Sequence, residues 1–576
     1  MPRRGGRTSV TAGQGDRSRP HFEALHACDA RGLRRAPVHN VAGGQWPLRG
    51  GSPAWGGCPP LPLSTSVPSR VRGPPRKGDF DMAWMREKTL LVVALTSLGV
   101  FAPACGGGSA EDSDAPPTQD GPVLVPPTEA QLRIVQAAPG SPAMDVYLAG
   151  DPTPVARAVA YGATTPYLTR DAGAVTVELR PAGSAASTAP IVSQRVGMEA
   201  GTRWTVVTAG AFGASDSGAA MRTLLLRDNT VPADGGQTRV RIINAGTDAP
   251  TVDVDLGNDG SVEVASLARF RDSGEQAQVL PSGAAFQVGL RTGGQTLTSF
   301  TVPAPGSGTD TLIVATGLMS ASARAGDGFS LLTAGRDGTL AILRQNPTVY
   351  VLHASPDAPA LDLFAGEREL SGDLSYGTLS SPLQVPPGAY TLDFFAAASG
   401  TERPSSAPVA TATTPTLVPG ERYLMVAAGY LEPPRPAASP FTLLPLTDRF
   451  ASDPSNLRLR WVHAAADTPA VDVGPLGSER RVLPDAPFLD VPFASATAQD
   501  GLPLPSGGTV TLGVVPSDDA NRAPRTSFSV TPQPDTRVFA VATDTPGSAP
   551  GSWDLQLLWV DTTRTPWTVS TRAHGP

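Results

Sequence analysis

Six aspartates stand in three pairs five residues apart, Asp248/Asp253, Asp357/Asp362 and Asp467/Asp472, each pair bracketing a proline. Hard cations such as Ca²⁺ take several oxygen ligands, so two loop carboxylates with nearby backbone carbonyls would suit one. Carboxylates in tight turns also accept backbone N–H bonds with no metal present, and this reading is preferred because a fourth related segment has Gly140 in place of the first aspartate. Asp253, Asp255 and Asp259 form a denser acidic cluster beside Gly260 and are the best metal candidates in the chain, weak ones; a solvated hairpin with no metal and no cofactor is the expectation. His353 and His463 occupy a position filled by Gln136 and Asn244 in the related segments. An amide cannot replace a proton-transferring base, but it can replace a hydrogen-bonding residue at a strand end, so no catalytic residue is assigned. No G-x-S-x-G elbow, H-E-x-x-H helix or phosphate-cradling G-x-x-x-x-G-K-[ST] is present, and the chain is not expected to be an enzyme. Among the tryptophans, Trp461 falls in a core phase, while Trp567 lies outside any clear strand pattern and is a candidate aromatic platform for sugar.

These residues sit in a repeated frame. LRIVQAAPGSPAMDV from Leu132, VRIINAGTDAPTVDV from Val240, VYVLHASPDAPALDL from Val349 and LRWVHAAADTPAVDV from Leu459 align, and their last aspartates are 108, 109 and 110 residues apart. A second marker recurs at Pro281-Ser282-Gly283, Pro387-Gly388 and Pro505-Ser506-Gly507, and a third is the apolar run ending at Gly210, Gly317, Gly429 and Asp544. Apolar residues alternate with polar ones, as Val240 and Ile242 do with Arg239 and Arg241, which predicts strands with one buried and one wet face. Turn residues every eight to twelve positions give about seven strands per ~100 residues, the count of a β-sandwich. The expected class is therefore all-β: four tandem immunoglobulin-like sandwiches over 131–230, 238–336, 347–448 and 457–562, each folding largely on its own.

Upstream, residues 1–84 are rich in Arg, Gly and Pro, carry a net charge of +8, and are read as an untranslated upstream region or a disordered extension. Residues 85–104 run from a charged start, Met85-Arg86-Glu87-Lys88, through an apolar stretch over 90–101 to small residues and then Cys105. Twelve apolar residues cover about 18 Å as a helix, short of the ~30 Å hydrocarbon core, so the segment reads as an export signal. It resembles a bacterial lipoprotein signal, which implies lipidation of Cys105 and a membrane anchor through the N-terminal lipid. Pro103 departs from that pattern. A Gly- and Pro-rich acidic linker over 105–130 follows. From Cys105 onward the net charge is −16 and there is no lysine, so nucleic acid is not an expected partner.

The HASPDAPALDL string from His353, with its variants in the other copies and the Tyr161-Gly162 and Tyr376-Gly377 pairs, resembles the bacterial envelope family called domain of unknown function 4397. The second and fourth copies depart from it with Phe270-Arg271 and Phe493-Ala494 in place of Tyr-Gly. The resemblance implies tandem sandwiches at the cell envelope, and it implies no activity. Together these readings give a lipid-anchored protein of the bacterial outer membrane, on its periplasmic or surface face. Its repeats would act as a binding, spacer or adhesion rod toward an envelope polysaccharide or protein, with binding residues unassigned. The alternative is an envelope enzyme that processes carbohydrate or peptide at a site between domains.

Overall fold

The computed structural model describes residues 128–572 apart from 215 and 217, together with His574. The segments 1–84 and 85–104, Cys105 and most of the linker lie outside the described residues. Those described form strands and turns with no helix, in four consecutive copies.

Copy 1 sets the pattern: β1 (Glu129–Gln136), β2 (Met144–Leu148), β3 (Ala156–Val159), β4 (Leu168–Asp171), β5 (Gly173–Pro181), β6 (Val192–Met198), β7 (Arg203–Ala209) and β8 (Arg222–Asp228). One sheet has the order β4-β1-β7-β8 and the other β3-β2-β5-β6. The expected linker therefore ends earlier than 130, since Glu129 and Ala130 already pair with Asp171 and Arg170. All neighbouring strands are antiparallel except β1 and β7, which run parallel, Leu132 opposite Trp204 and Val135 opposite Val207. The other three copies repeat this arrangement, including the parallel pair, so each holds eight or more strands where turn spacing suggested about seven. In copies 2 and 4 the fourth strand is split in two and a ninth strand is added, Gly338–Arg344 and Thr568–Arg572. These strands fall beyond the ends expected at 336 and 562.

Each copy has its own core between its two sheets. In copy 1 it includes Leu132, Ile134, Met144, Val177 and Val206; in copy 4 it is built around Trp461, fully buried with Leu459, Val514 and Phe528. The expectation of one wet face fails for the sheet that carries the first strand. The residues in the opposite phase are buried too, against the neighbouring copy. Val135, Ala137, Val207 and Ala209 of copy 1 pack on Ile243, Ala245, Leu312 and Val314 of copy 2. In the same way Tyr350, Leu352, Leu424 and Val426 of copy 3 pack on Val462, Phe539, Val541 and Leu558 of copy 4. Strands buried on both faces read as continuous apolar runs, which is how the stretches ending at Gly210, Gly317 and Gly429 read. At about 1.5–3 kcal/mol for each large apolar side chain buried, such a seam stabilises both partners. Copies 2 and 3, by contrast, meet through polar groups: the Ser299 amide donates to Gln384 Oε1 at 2.7 Å, and Arg324 Nη2 to the Asp448 carbonyl at 3.1 Å. No buried apolar cluster among the described residues spans those two copies. Copies 1–2 and copies 3–4 are thus two double sandwiches, and the independent beads expected from the period are joined in pairs.

Candidate functional site

The repeated aspartates have one job in all four copies. The last aspartate of each motif lies on the second strand, where pairing with the third strand shifts register at a bulge. Its Oδ1 accepts an N–H from the bulged strand: Ala158 to Asp145 at 2.8 Å, Ser266 to Asp253 at 2.7 Å, Asp373 to Asp362 at 2.8 Å and Asp490 to Asp472 at 2.8 Å. All four donors are non-glycine residues at positive φ, between 49° and 57°. A bulge in that conformation leaves an N–H without a ladder partner, and the carboxylate supplies the acceptor. The first aspartate, present in copies 2–4 and replaced by Gly140 in copy 1, holds the loop after the seventh strand. Asp248 accepts from the Met319 and Ser320 amides at 2.6 and 2.9 Å, and Asp357 from the Leu431 and Glu432 amides at 2.9 and 2.8 Å. These bonds hold the Asp248 carboxyl below its usual range against the opposing effect of burial.

Of the three metal candidates, Asp253 is used at the bulge. Asp255 is fully buried, accepts the Asp259 and Gly260 amides at 3.1 and 2.9 Å and pairs with Arg291 at 3.2 Å. Asp259 accepts the Ser261 amide at 2.9 Å, which lowers its carboxyl pKa. The cluster is a hairpin turn held by its own carboxylates, and no group of three or more His, Cys, Asp or Glu among the described residues is arranged to hold a metal ion.

The strand-end position closes the proline turn where it is His or Asn, whereas Gln136 of copy 1 accepts from Thr208 Oγ1 and its Nε2 has no partner among the described residues. His353 Nε2 and His463 Nε2 lie 2.9 Å from the Pro359 and Pro469 carbonyls, and Asn244 Nδ2 donates to the Pro250 carbonyl at 2.9 Å. Both histidine rings are buried, which pushes their pKa down and keeps them neutral, with Nε2 as the donor. Trp567, the sugar-platform candidate, is 4% exposed and stacks on Tyr350 with ring centres 4.2 Å apart. It is a seam residue and offers no open face.

The substitution of Tyr-Gly in copies 2 and 4 follows from the pairing. In copies 1 and 3 this motif reaches into the partner copy: Thr339 Oγ1 donates to the Gly162 carbonyl at 3.0 Å, and Tyr376 OH to the Asp544 carbonyl at 2.7 Å. In copies 2 and 4 the aromatic residue packs on the seam from the other side, Phe270 beneath Arg222 and Phe493 beside His463. The two pairs share further cross-seam bonds at equivalent positions. Thr316 Oγ1 and Thr543 Oγ1 donate to the Ala137 and Ala354 carbonyls at 2.5 and 2.9 Å, and Arg241 and Arg460 donate to the Arg227 and Thr447 carbonyls at 2.6 and 2.7 Å.

A concavity of ≈ 1080 Å³ opens between the pairs and is lined by copies 2, 3 and 4, including Arg324, Leu370, Leu383, Glu421, Asp448 and Arg564. Its buried acids are neutralised within the fold: Glu421 pairs with Arg449 at 2.8 Å and Asp448 with Arg422. Sequence reasoning missed this cleft because it arises from how copies meet, and no single repeat encodes it.

Comparison with known proteins agrees with the repeat. Residues 130–255 and 347–474 match the family described as Domain of unknown function (DUF4397), so the chain carries tandem repeats of that domain. Each match begins at an odd copy and ends within the second strand of the following even copy, Val252–Leu256 or Val471–Pro475. No curated protein matches. Among solved structures, the Bacillus anthracis TIE protein is similar at 10% identity over 71% of this chain and 67% of that chain, with a TM-score of 0.11.

Proposed function

We propose that this chain is a lipid-anchored protein of the bacterial outer membrane, not an enzyme, in which two double sandwiches form a binding or spacer module toward an envelope polysaccharide or protein. The observation that carries this reading is the use of the repeated aspartates and histidines. The side chains best suited to chemistry are bound to backbone groups at equivalent places in successive copies, so they shape turns and are not presented to a substrate. The inter-pair cleft suits binding better than catalysis for the same reason, since its buried acids already face arginines.

The anchor rests on the order of charged, apolar and small residues before Cys105. Each buried CH₂ of an acyl chain adds about 0.8 kcal/mol of membrane affinity, so two or more chains hold the protein stably. Labelled fatty acid is expected in the wild-type protein and not in Cys105→Ser; equal labelling of both overturns the anchor. For the binding half, isolated envelope polysaccharide is expected to retard the protein in native gels, and Arg564→Glu, an exposed change at the cleft rim, to reduce the retardation. Retardation that is identical in the variant removes the cleft from the account.

A further inference from the structure

A second, smaller pocket of ≈ 50 Å³ lies at the open end of the seam between copies 1 and 2. Arg133, Arg203, Arg239, Arg241 and Arg336 line it, from four different stretches of chain, in a body whose net charge from Cys105 onward is −16. Three carboxylates share the pocket, leaving two positive charges in excess. Asp228 is occupied by hydrogen bonds from Tyr167 OH and Thr205 Oγ1 at 2.8 and 2.5 Å, and Arg241 is spent on Asp272 at 2.6 Å.

Arg133 donates Nε to Thr205 Oγ1 at 2.8 Å and Nη1 to the Gly335 carbonyl, and Arg239 Nη1 donates to the Val231 carbonyl, while Arg203 and Arg336 are less fully engaged. Arg239 and Arg336 approach Asp310 at 3.7 and 3.8 Å, beyond hydrogen-bond reach, and Oδ1 of Asp310 has no hydrogen-bond partner. Arg203 donates its Nε to Gln131 at 2.7 Å, and its terminal N–H groups meet no acceptor among the described residues. Guanidinium forks that line one pocket with N–H groups to spare are matched to the oxygens of a phosphate or sulfate, which accept two parallel N–H bonds from a fork. Burial raises the pKa of Asp310, which eases its repulsion of an anion.

The other pair shows how the same place is otherwise filled. Tyr350 and Arg422 stand where copy 1 has Arg133 and Arg203, and the Trp567 ring lies against both, 4.2 Å from the Tyr350 ring and 5.4 Å from the Arg422 guanidinium carbon. In copies 1 and 2 the smaller Tyr167 ring covers Arg133 at 4.7 Å and leaves a pocket walled by arginine beside it. We propose that this pocket binds a tetrahedral oxyanion, a phosphate or sulfate group, whether free or carried on a sugar.

Titration calorimetry of the full chain with inorganic sulfate, at constant ionic strength set by sodium chloride, tests this. Sulfate is expected to bind at one site per chain, and Arg336→Gln, on an exposed turn, to weaken it about tenfold, the usual effect of losing one charge-assisted contact. Asp310→Asn removes the competing carboxylate and is expected to tighten binding. Arg525→Gln, equal in charge to Arg336→Gln but on an exposed position of copy 4 that lines neither concavity, is expected to leave it unchanged. A parallel titration with a monosulfated monosaccharide separates the sources: binding at least as tight as sulfate assigns a sugar-borne group, and weaker binding assigns the free ion. Heat no larger than that of chloride alone, or an Arg525→Gln variant weakened as much as Arg336→Gln, overturns the proposal.

Discussion

The seam between copies 1 and 2 and the seam between copies 3 and 4 use the same strands and the same backbone acceptors, yet they are filled differently. The first is small and aliphatic, Val135, Ala137, Val207 and Ala209 against Ile243, Leu312, Val314 and Leu332, with arginines gathered at its open end. The second is aromatic: Tyr350, Phe450, Phe539 and Trp567 lie together, with Phe450 and Phe539 edge to face at 5.0 Å. What is held fixed is the placement of the cross-seam donors, Thr316 and Thr543 on one strand and Arg241 and Arg460 on another. Hydrogen bonds set the register of the two sheets, and any set of side chains that fills the volume is compatible with it. The seam with fewer large rings carries the arginine-lined pocket.

The comparison is broken most forcefully at Trp461, in the sandwich core of copy 4. Trp461→Ala is expected to cost about 3–5 kcal/mol. Because copies 3 and 4 share the aromatic seam, calorimetry should show copies 3 and 4 melting earlier together while copies 1 and 2 keep their transition. A copy 3 transition that stays in place would return the copies to independent beads.

A second difference is Asp544, which stands where the other copies have Gly210, Gly317 and Gly429. At those glycines, φ is +79°, +95° and +88° and an added Cβ would fall within 2.6 Å of a backbone oxygen, so copy 4 closes this corner differently. Burial, opposed by bonds from the Asp467 and Ala466 amides and reinforced by the nearby Asp467, raises the Asp544 carboxyl to about 6 from 3.8. The fold therefore favours the protonated acid. Its stabilising contribution is complete below pH 3.8 and is lost as pH rises through 6, a loss on the order of 2–3 kcal/mol. The melting temperature of copies 3 and 4 should fall over that window, and Asp544→Asn should flatten the slope. An unaltered slope in the variant would assign the pH dependence to another group. A smaller effect is expected at Tyr376, whose hydroxyl donates across the seam to the Asp544 carbonyl at 2.7 Å. Tyr376→Phe should cost about 1 kcal/mol in chemical denaturation, and a neutral result would mean that water replaces the bond.

Much of this architecture was readable in the sequence because it repeats. The four motifs located every sandwich, and the replacement of His353 by Gln136 or Asn244 identified a hydrogen-bonding role before any distance was known. The gap left by Gly140 pointed to a turn in place of a metal site, and the carboxylates do hold turns. What was not legible is the second buried face. Arg239 and Arg241 beside Val240 and Ile242 signal a wet face, yet Arg241 lies at the seam and pairs with Asp272, while Ile243 and Ala245 further along the same phase are fully buried. Alternation over four residues samples only the end of a strand whose remainder is covered. The Tyr-Gly motif, present in odd copies and absent from even ones, carried the pairing in plain sight. Its meaning needed the geometry, because a contact between copies leaves no period within one copy.

Native-state hydrogen exchange on Trp567→Ala tests the pairing most directly. The residue belongs to copy 4, while its ring stacks on Tyr350 of copy 3. The account predicts that amides of the seventh strands Arg422–Ala428 and Thr536–Asp544 lose protection by the same factor, while Arg203–Ala209 and Thr309–Thr316 keep theirs. Loss confined to Thr536–Asp544 would contradict a shared folding unit, and loss in all four strands would contradict two.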